Sequence, residues 1–218
     1  MPKTIRNKYY EKLTFKKLNE AHLRARKNKR NKKEVIEYDK NIECNLINLL
    51  NKLEDRNYTV GKYRKFKIYE PKEREIQALP YEDRIVHQWY VHEFVIPYIL
   101  PKLIEQTYAC IENRGTHKAV DKVGQYIRRA SEIYKECYIL KCDIKKFFMN
   151  IDPDILSKIM KTHIQDKYLL ELTNSLIYND EIVSGIPIGN YTSQYFANIY
   201  LDVLDKYVKH DLKCKIYG

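Results

Sequence analysis

The stretch Tyr138–Asp152, YILKCDIKKFFMNID, constrains this chain more than any other. It opens with apolar alternation at Tyr138, Ile139, Leu140 and Cys142, the pattern of a short strand running into a core. Such a strand delivers one carboxylate, Asp143, at its end. Two aromatics follow at Phe147 and Phe148. Asp152 and Pro153 then predict a helix start, with a capping carboxylate and a proline in the first turn. A carboxylate at the end of a buried strand is costly unless a charge meets it, and a divalent cation is the commonest such partner where phosphates are handled. The same residues fit a plainer reading, in which Asp143 caps a local turn and both phenylalanines are core.

A second stretch, Gly185–Lys209, reads GIPIGNYTSQYFANIYLDVLDKYVK: a turn rich in Gly and Pro, then an amphipathic helix. Taken together and in this order, about forty-five residues apart, the two stretches resemble the palm of a reverse transcriptase. The resemblance implies that Asp143 is a metal-binding catalytic carboxylate, with the Ile144 carbonyl as a further donor. It implies that Phe148 closes against the sugar 2′ position. It also implies that Ile188, Gly189, Ser193 and Gln194 support the incoming nucleotide and the template. The run Ile188-Gly189-Asn190-Tyr191-Thr192-Ser193-Gln194 is similar to the form found in diversity-generating retroelements, where intron and retron enzymes usually place Gln before the glycine and Pro after the serine.

Charge points the same way as the motifs. The net charge is +11 over 218 residues, and the segment up to Glu34 carries 13 Lys/Arg against 3 Asp/Glu, so nearly all the excess lies in one arm. A basic arm predicts an anionic partner, with Arg24, Arg26, Lys27, Lys29 and Arg30 as phosphate contacts; a solvated face is the bland alternative. No apolar run approaches the length of a membrane span. The five cysteines form no C-x-x-C pair and read as reduced intracellular thiols, which predicts a cytoplasmic protein.

Along the chain, Leu13, Leu18 and Leu23 predict a helix in the arm, and Val35 to Asn57 predicts a second with Ile36, Leu46, Ile47, Leu49, Leu50 and Leu53 on its apolar face. Alternation from Tyr63 to Ile68 and again from Glu75 to Leu79, around Pro71-Lys72-Glu73, predicts a hairpin. Lys72 and Arg74 face one way on an extended chain, and the resemblance implies that they touch the nucleotide's phosphates. A helix is expected from the Pro80 turn to Phe94, with Asp83 and Arg84 either capping it or touching nucleic acid, and with Pro97 to Pro101 breaking the pattern. His87 and His92 lack further ligands at a metal-binding spacing. Gly115 and Thr116 predict a turn and a capped helix to Ala130, with Arg114 aimed at a phosphate or a template base. Helices are expected over Pro153 to Met160, Lys167 to Ile177 and Thr192 to Lys209. The last should bury Phe196, Ile199, Tyr200, Val203 and Leu204, and a final strand is expected from Lys213.

The expected fold is α+β: a helical basic N-terminal arm over 1–61, right-hand polymerase fingers over 62–135, and a partial palm over 136–218. The resemblance implies RNA-templated DNA synthesis with Mg²⁺, or Mn²⁺ in its place. The implied partners are an RNA template, a DNA or RNA primer, deoxynucleoside triphosphates and an accessory protein, with no membrane. A Tyr-x-Asp-Asp hairpin, which carries the other metal-binding carboxylate in that family, is not among these 218 residues. This chain alone is therefore expected to extend no primer. Two alternatives stand beside that reading: a non-catalytic nucleic-acid-binding remnant, and a reverse transcriptase of the anti-phage or intron type.

Overall fold

The computed structural model describes residues 4–69, 73–134, 136, 138–178 and 185–214. Its fold is α+β, a helical body carrying one small antiparallel sheet. The chain begins by pinning itself to its own later half. Ile5 forms a parallel bridge with Ile164, and Asp166 accepts hydrogen bonds from the Lys8, Tyr9 and Leu169 amides at 2.6, 2.9 and 3.1 Å. One carboxylate thus satisfies amides left without a helical partner at the starts of two helices, α1 (Tyr9–Lys12) and the later Lys167–Ile177.

Helix α2 (Phe15–Ala25) starts where the Thr14 hydroxyl accepts from the Lys17 amide at 3.3 Å. It buries Leu18, Ala21, His22 and Ala25, a stripe at helical spacing, while Leu23 faces out. The expected helix from Val35 to Asn57 is two helices, α3 (Lys33–Asp39) and α4 (Ile42–Glu54), broken at Asn41, whose backbone leaves the helical region. That break lets Val35 and the Leu46–Leu49–Leu53 stripe reach the core separately, and it leaves Ile36 and Ile47 exposed.

Strands β1 (Arg64–Ile68) and β2 (Arg74–Ala78) form the expected hairpin, in register from Arg64 opposite Ala78 to Ile68 opposite Arg74. Helix α5 (Tyr81–Tyr90) packs against α2, with the Tyr81 hydroxyl 3.1 Å from His22 Nδ1, and the Trp89 indole donates to the Lys12 carbonyl at 2.9 Å. Residues from the stretch expected to be an arm, 1–61, and from 62–135 share one hydrophobic core. Pro97 does not break the next segment as expected. Val91–Ile99 continues α5 as a π-helix that contains Pro97, and its wider turn gives the proline ring room beside the carbonyl of the preceding turn.

Helix α6 (Thr116–Ile133) starts at Gly115, whose φ of 121° suits glycine, so Thr116 is the first helical residue and not the cap. Its Val120, Val123 and Ile127 stripe is exposed. The expected strand at Tyr138–Cys142 does not form. Those residues have no regular structure, and Tyr138 and Leu140 are each 88% exposed. Alternation sets which side chains share a face, but a strand also needs a neighbour to take its backbone hydrogen bonds, and no described residue supplies one.

The short helix α7 (Phe147–Asn150) follows a left-handed Lys146. Helix α8 (Pro153–His163) begins as expected, with the Asp152 carboxylate accepting from the Asp154 and Ile155 amides. Helix α9 (Lys167–Ile177) packs on α8, and α10 (Tyr191–Lys206) crosses both α5 and α8 before ending in a π turn, Tyr207–Asp211. Helix α10 buries Phe196 and Ile199, but Val203 and Leu204 face solvent; Asp202 takes the inward position on that last stretch. Of the strand expected from Lys213, residues 215–218 lie outside the described residues, and Lys213 and Cys214 are not in a strand.

Candidate nucleotide cleft

The turn at residues 185–190 is fixed from three sides. Gly185, at φ +81°, lies so close to α7 that an added Cβ would fall 2.6 Å from the Met149 Cα and from the Phe148 carbonyl oxygen. The next residue, Ile186, donates its amide to that same Phe148 carbonyl at 2.8 Å. From the hairpin, the Gln77 amide donates to the Ile188 carbonyl at 3.4 Å, and the Asn190 amide group donates to the Tyr63 hydroxyl at 2.5 Å. Gly189, at φ +121°, would place a Cβ 3.2 Å from the Gln77 carbonyl oxygen, so a side chain would push against the hairpin. From α5, His87 Nδ1 and the Thr192 hydroxyl are 2.8 Å apart. His87 is fully buried, and burial pushes its pKa down to about 3, so it stays neutral.

These contacts bring together residues from three parts of the sequence. A cleft of about 830 Å³ is lined by Phe148 of α7, by Ile188, Gly189, Ser193 and Gln194 of the turn and α10, and by Cys110–Glu112 of the loop before α6. Tyr191, Tyr195 and His92 form its aromatic wall. The His92 and Tyr191 rings lie 7° from parallel with centroids 5.9 Å apart, and a hydrogen-bonded chain runs from Tyr195 through the Tyr191 hydroxyl to His92 Nε2. Burial, then the nearby Arg24 charge, holds the His92 pKa down at about 4.

The other residues singled out in the sequence lie outside this cleft or turn their polar atoms elsewhere. Ser193 is buried, and its hydroxyl donates to the Pro187 carbonyl at 2.6 Å, closing the turn instead of facing a template. Arg114, expected to reach a phosphate or base, commits Nη1 to the carbonyls of Ile104, Glu105 and Thr107 and staples its own loop. Arg26 pairs with Asp39 at 3.1 Å, and Nε and Nη2 of Arg24 are buried without a protein partner. Lys27, Lys29 and Arg30 are exposed on the turn after α2. Asp83 accepts from the Tyr58 hydroxyl and the Gly61 amide, and Arg84 pairs with Glu34, so both are structural. Arg74 opens β2, while Lys72 lies outside the described residues.

Asp143 does not line the cleft; it is exposed beside an exposed Ile144. Among the described residues no group of three or more His, Cys, Asp or Glu side chains could hold a metal ion. One carboxylate and one carbonyl do not make a site for two divalent ions, so these residues do not fit the implied metal centre. Sequence reasoning missed the His92–Tyr191 stack and the Tyr63–Asn190 tie. Both join residues about a hundred or more apart, and no local pattern announces them.

Comparison with known proteins adds two findings. Residues 61–218 match the family described as "Reverse transcriptase (RNA-dependent DNA polymerase)". The chain is also similar to the "Putative COX1/OXI3 intron 2 protein" of Saccharomyces cerevisiae, 32% identical over 82 residues, a match that covers 34% of this chain and 10% of that protein. No helix of the described residues is long and apolar enough to cross a membrane.

Proposed function

Because the chain belongs to the reverse transcriptase (RNA-dependent DNA polymerase) family, we propose that its cleft receives the incoming deoxynucleotide during RNA-templated DNA synthesis. The observation that carries this is the convergence of Phe148, Ile188, Gly189 and Gln194 on one cleft from separate parts of the sequence. Gly189 lets the backbone come close to the nucleotide. The Phe148 ring stands where a ribose 2′-OH would otherwise sit, and the Tyr191 and Tyr195 rings offer a stacking face for a base. Arg74 and Lys72 meet the triphosphate, and Lys27, Lys29 and Arg30 meet the backbone phosphates of an RNA template paired with its primer. Gln194, on α10 in the lining of the cleft, faces the template.

A bound Mg²⁺ or Mn²⁺ would supply Lewis-acid chemistry for a primer hydroxyl and positive charge for the departing phosphates, with Asp143 as the carboxylate expected to hold it. Among the described residues none fits a pair of such ions, so the reading stops at binding: by itself the chain holds nucleotide and duplex and extends no primer. Exposed Asp143 and the absence of a metal cluster among the described residues favour a second reading, a nucleic-acid-binding protein without chemistry. A version continued by a Tyr-x-Asp-Asp strand separates the two. Under the first reading it extends a primer, and Asp143→Ala slows it at least about a thousandfold. Under the second it extends none. The Ile188–Gln194 form favours a diversity-generating retroelement, whereas the similarity to an intron protein favours an intron type. A template and variable repeat pair beside the gene decides between them.

Photolabelling tests the cleft directly. An azido-substituted dATP should attach within residues 110–112 or 188–195 and be displaced by dATP better than by ATP, a preference lost in Phe148→Ala. Labelling confined to other surfaces, or equal displacement by both nucleotides in the unaltered chain, overturns the assignment.

A further inference from the structure

At the end of α10 away from the cleft, three elements converge on a second cluster. Asp202 is buried, and its Oδ1 accepts the Ile104 amide at 3.0 Å. Its Oδ2 pairs with Lys206 Nζ at 2.5 Å, so the carboxylate is fully engaged. Beside this pair, Lys102 at the end of the Leu100–Lys102 turn places Nζ 3.4 Å from Nδ1 of His163, the last residue of α8. An ammonium can only donate, so Nδ1 must be the lone-pair nitrogen of that ring, and Nε2 carries the proton. Two ammonium groups and one imidazole N–H therefore share a site with a single carboxylate.

The groups feel one another. The His163 pKa is held down at about 4 by burial first, then by the Lys102 and Lys206 charges, with Asp202 acting weakly in the opposite direction. Lys102 is pushed below its ordinary value by burial and then by Lys206. Positive charge thus exceeds what Asp202 neutralises, and Lys209, one turn beyond Lys206, is held by Gln106, a neutral partner. An uncompensated, partly desolvated set of donors is stabilised by an anion that accepts several hydrogen bonds at once.

We propose that Lys102, Lys206 and His163 form a phosphate-binding site separate from the nucleotide cleft. Lys102, His163 and Lys206 are not among the residues that line the cleft, although Leu100, at the start of the turn that carries Lys102, is. The bound group is a phosphate oxyanion, either free in solution or part of an RNA backbone. Lys102 and Lys206 supply charge, and the His163 Nε2–H supplies direction.

The test follows the His163 imidazole by nitrogen NMR in the whole chain while inorganic phosphate, and separately a short single-stranded RNA, is added. Saturable shifts at His163 are expected. Lys102→Met should weaken binding by about tenfold or more, since a hydrogen bond to a charged group of ~1.5–3 kcal/mol is lost. Among the described residues no carboxylate pairs with Lys102 and would be stranded by this change, and an unmoved His87 resonance confirms the fold. Saturation by phosphate that RNA does not displace identifies a free anion. Displacement by RNA, with the log–log salt slope shallower by about 0.7 in Lys102→Met, identifies a backbone phosphate. Either result sustains the site. No saturable shift with either ligand, or equal affinity in Lys102→Met, overturns it. The photolabelling experiment is unaffected by either outcome, so the cleft and this site stand or fall separately.

Discussion

Gly185 holds Phe148 in place, and replacing it with alanine should break that arrangement measurably. At φ +81° an L side chain meets the following backbone, at a cost of about 1–2 kcal/mol. The new methyl would also sit 2.6 Å from the Met149 Cα and the Phe148 carbonyl oxygen, and 2.8 Å from the Met149 carbonyl carbon. These are main-chain atoms, so no side-chain rotation relieves the overlap, and overpacking of this kind costs about 1–3 kcal/mol. Together Gly185→Ala should destabilise the fold by roughly 2–5 kcal/mol. Gly124, inside α6, is the control: a Cβ there meets nothing within 4 Å, so Gly124→Ala should gain about 0.4–1 kcal/mol. Urea unfolding followed by circular dichroism measures both. If Gly185→Ala falls within about 0.5 kcal/mol of the unaltered chain, the packing of the turn on α7 is not what positions Phe148.

Three further outcomes follow from the same structure. The His87 pKa of about 3 lies below its unfolded value, so the unfolded chain binds more protons as acidity rises; stability is full above about pH 6.5 and is lost as pH falls towards 3. His87→Gln should flatten the dependence of unfolding free energy on pH between 6 and 4 by up to about 1.4 kcal/mol per unit, and an unchanged slope refutes the assignment. Replacing Lys27, Lys29 and Arg30 by Gln should make the log–log salt slope for RNA–DNA duplex shallower by up to about 2.7, whereas an unchanged slope means these charges only solvate the turn. Deleting residues 1–33 instead should unfold the chain, because Ile5, Tyr9, Leu13, Leu18, Ala21 and Ala25 are core; a cooperative melt of the truncated chain refutes this.

What the sequence could announce was local. The hairpin was legible because alternation flanks Pro71, and the start of α8 because Asp152 and Pro153 are the residues a helix start needs. The break at Asn41 was not, since neither Gly nor Pro marks it and only the separate burial of Val35 and Leu46 explains it. Pro97 misled in the opposite sense, because a π-helix tolerated it. The Tyr138–Cys142 alternation was a true pleat pattern without a ladder. Among the residues that line the cleft, Phe148, Ile188, Gly189 and Gln194 were singled out by motif, yet nothing local could show that the Ser193 hydroxyl and Nη1 of Arg114 are spent on nearby carbonyls. Side-chain type suggests what a residue can bind; only the fold decides what it has already bound.

That distinction explains why the cleft depends on elements that do not line it. The carbonyl of Ile188 and the amide of Asn190 are held by Gln77 and Tyr63 of the fingers, while Thr192 is held by His87 of α5 and Gly185 by the backbone of α7. The path of the turn at Gly189 is therefore set by the hairpin and two helices at once. A hairpin that shifts relative to α10 must lengthen the 2.5 Å Tyr63–Asn190 bond or the 3.4 Å Gln77–Ile188 bond before it can do anything else. The hairpin also carries Arg74, whose strand register is fixed opposite Ile68. A nucleotide whose phosphates engage the hairpin and whose sugar and base engage the turn would span both halves of this contact. By binding both parts it would favour the arrangement in which the hairpin holds the turn through Gln77 and Tyr63.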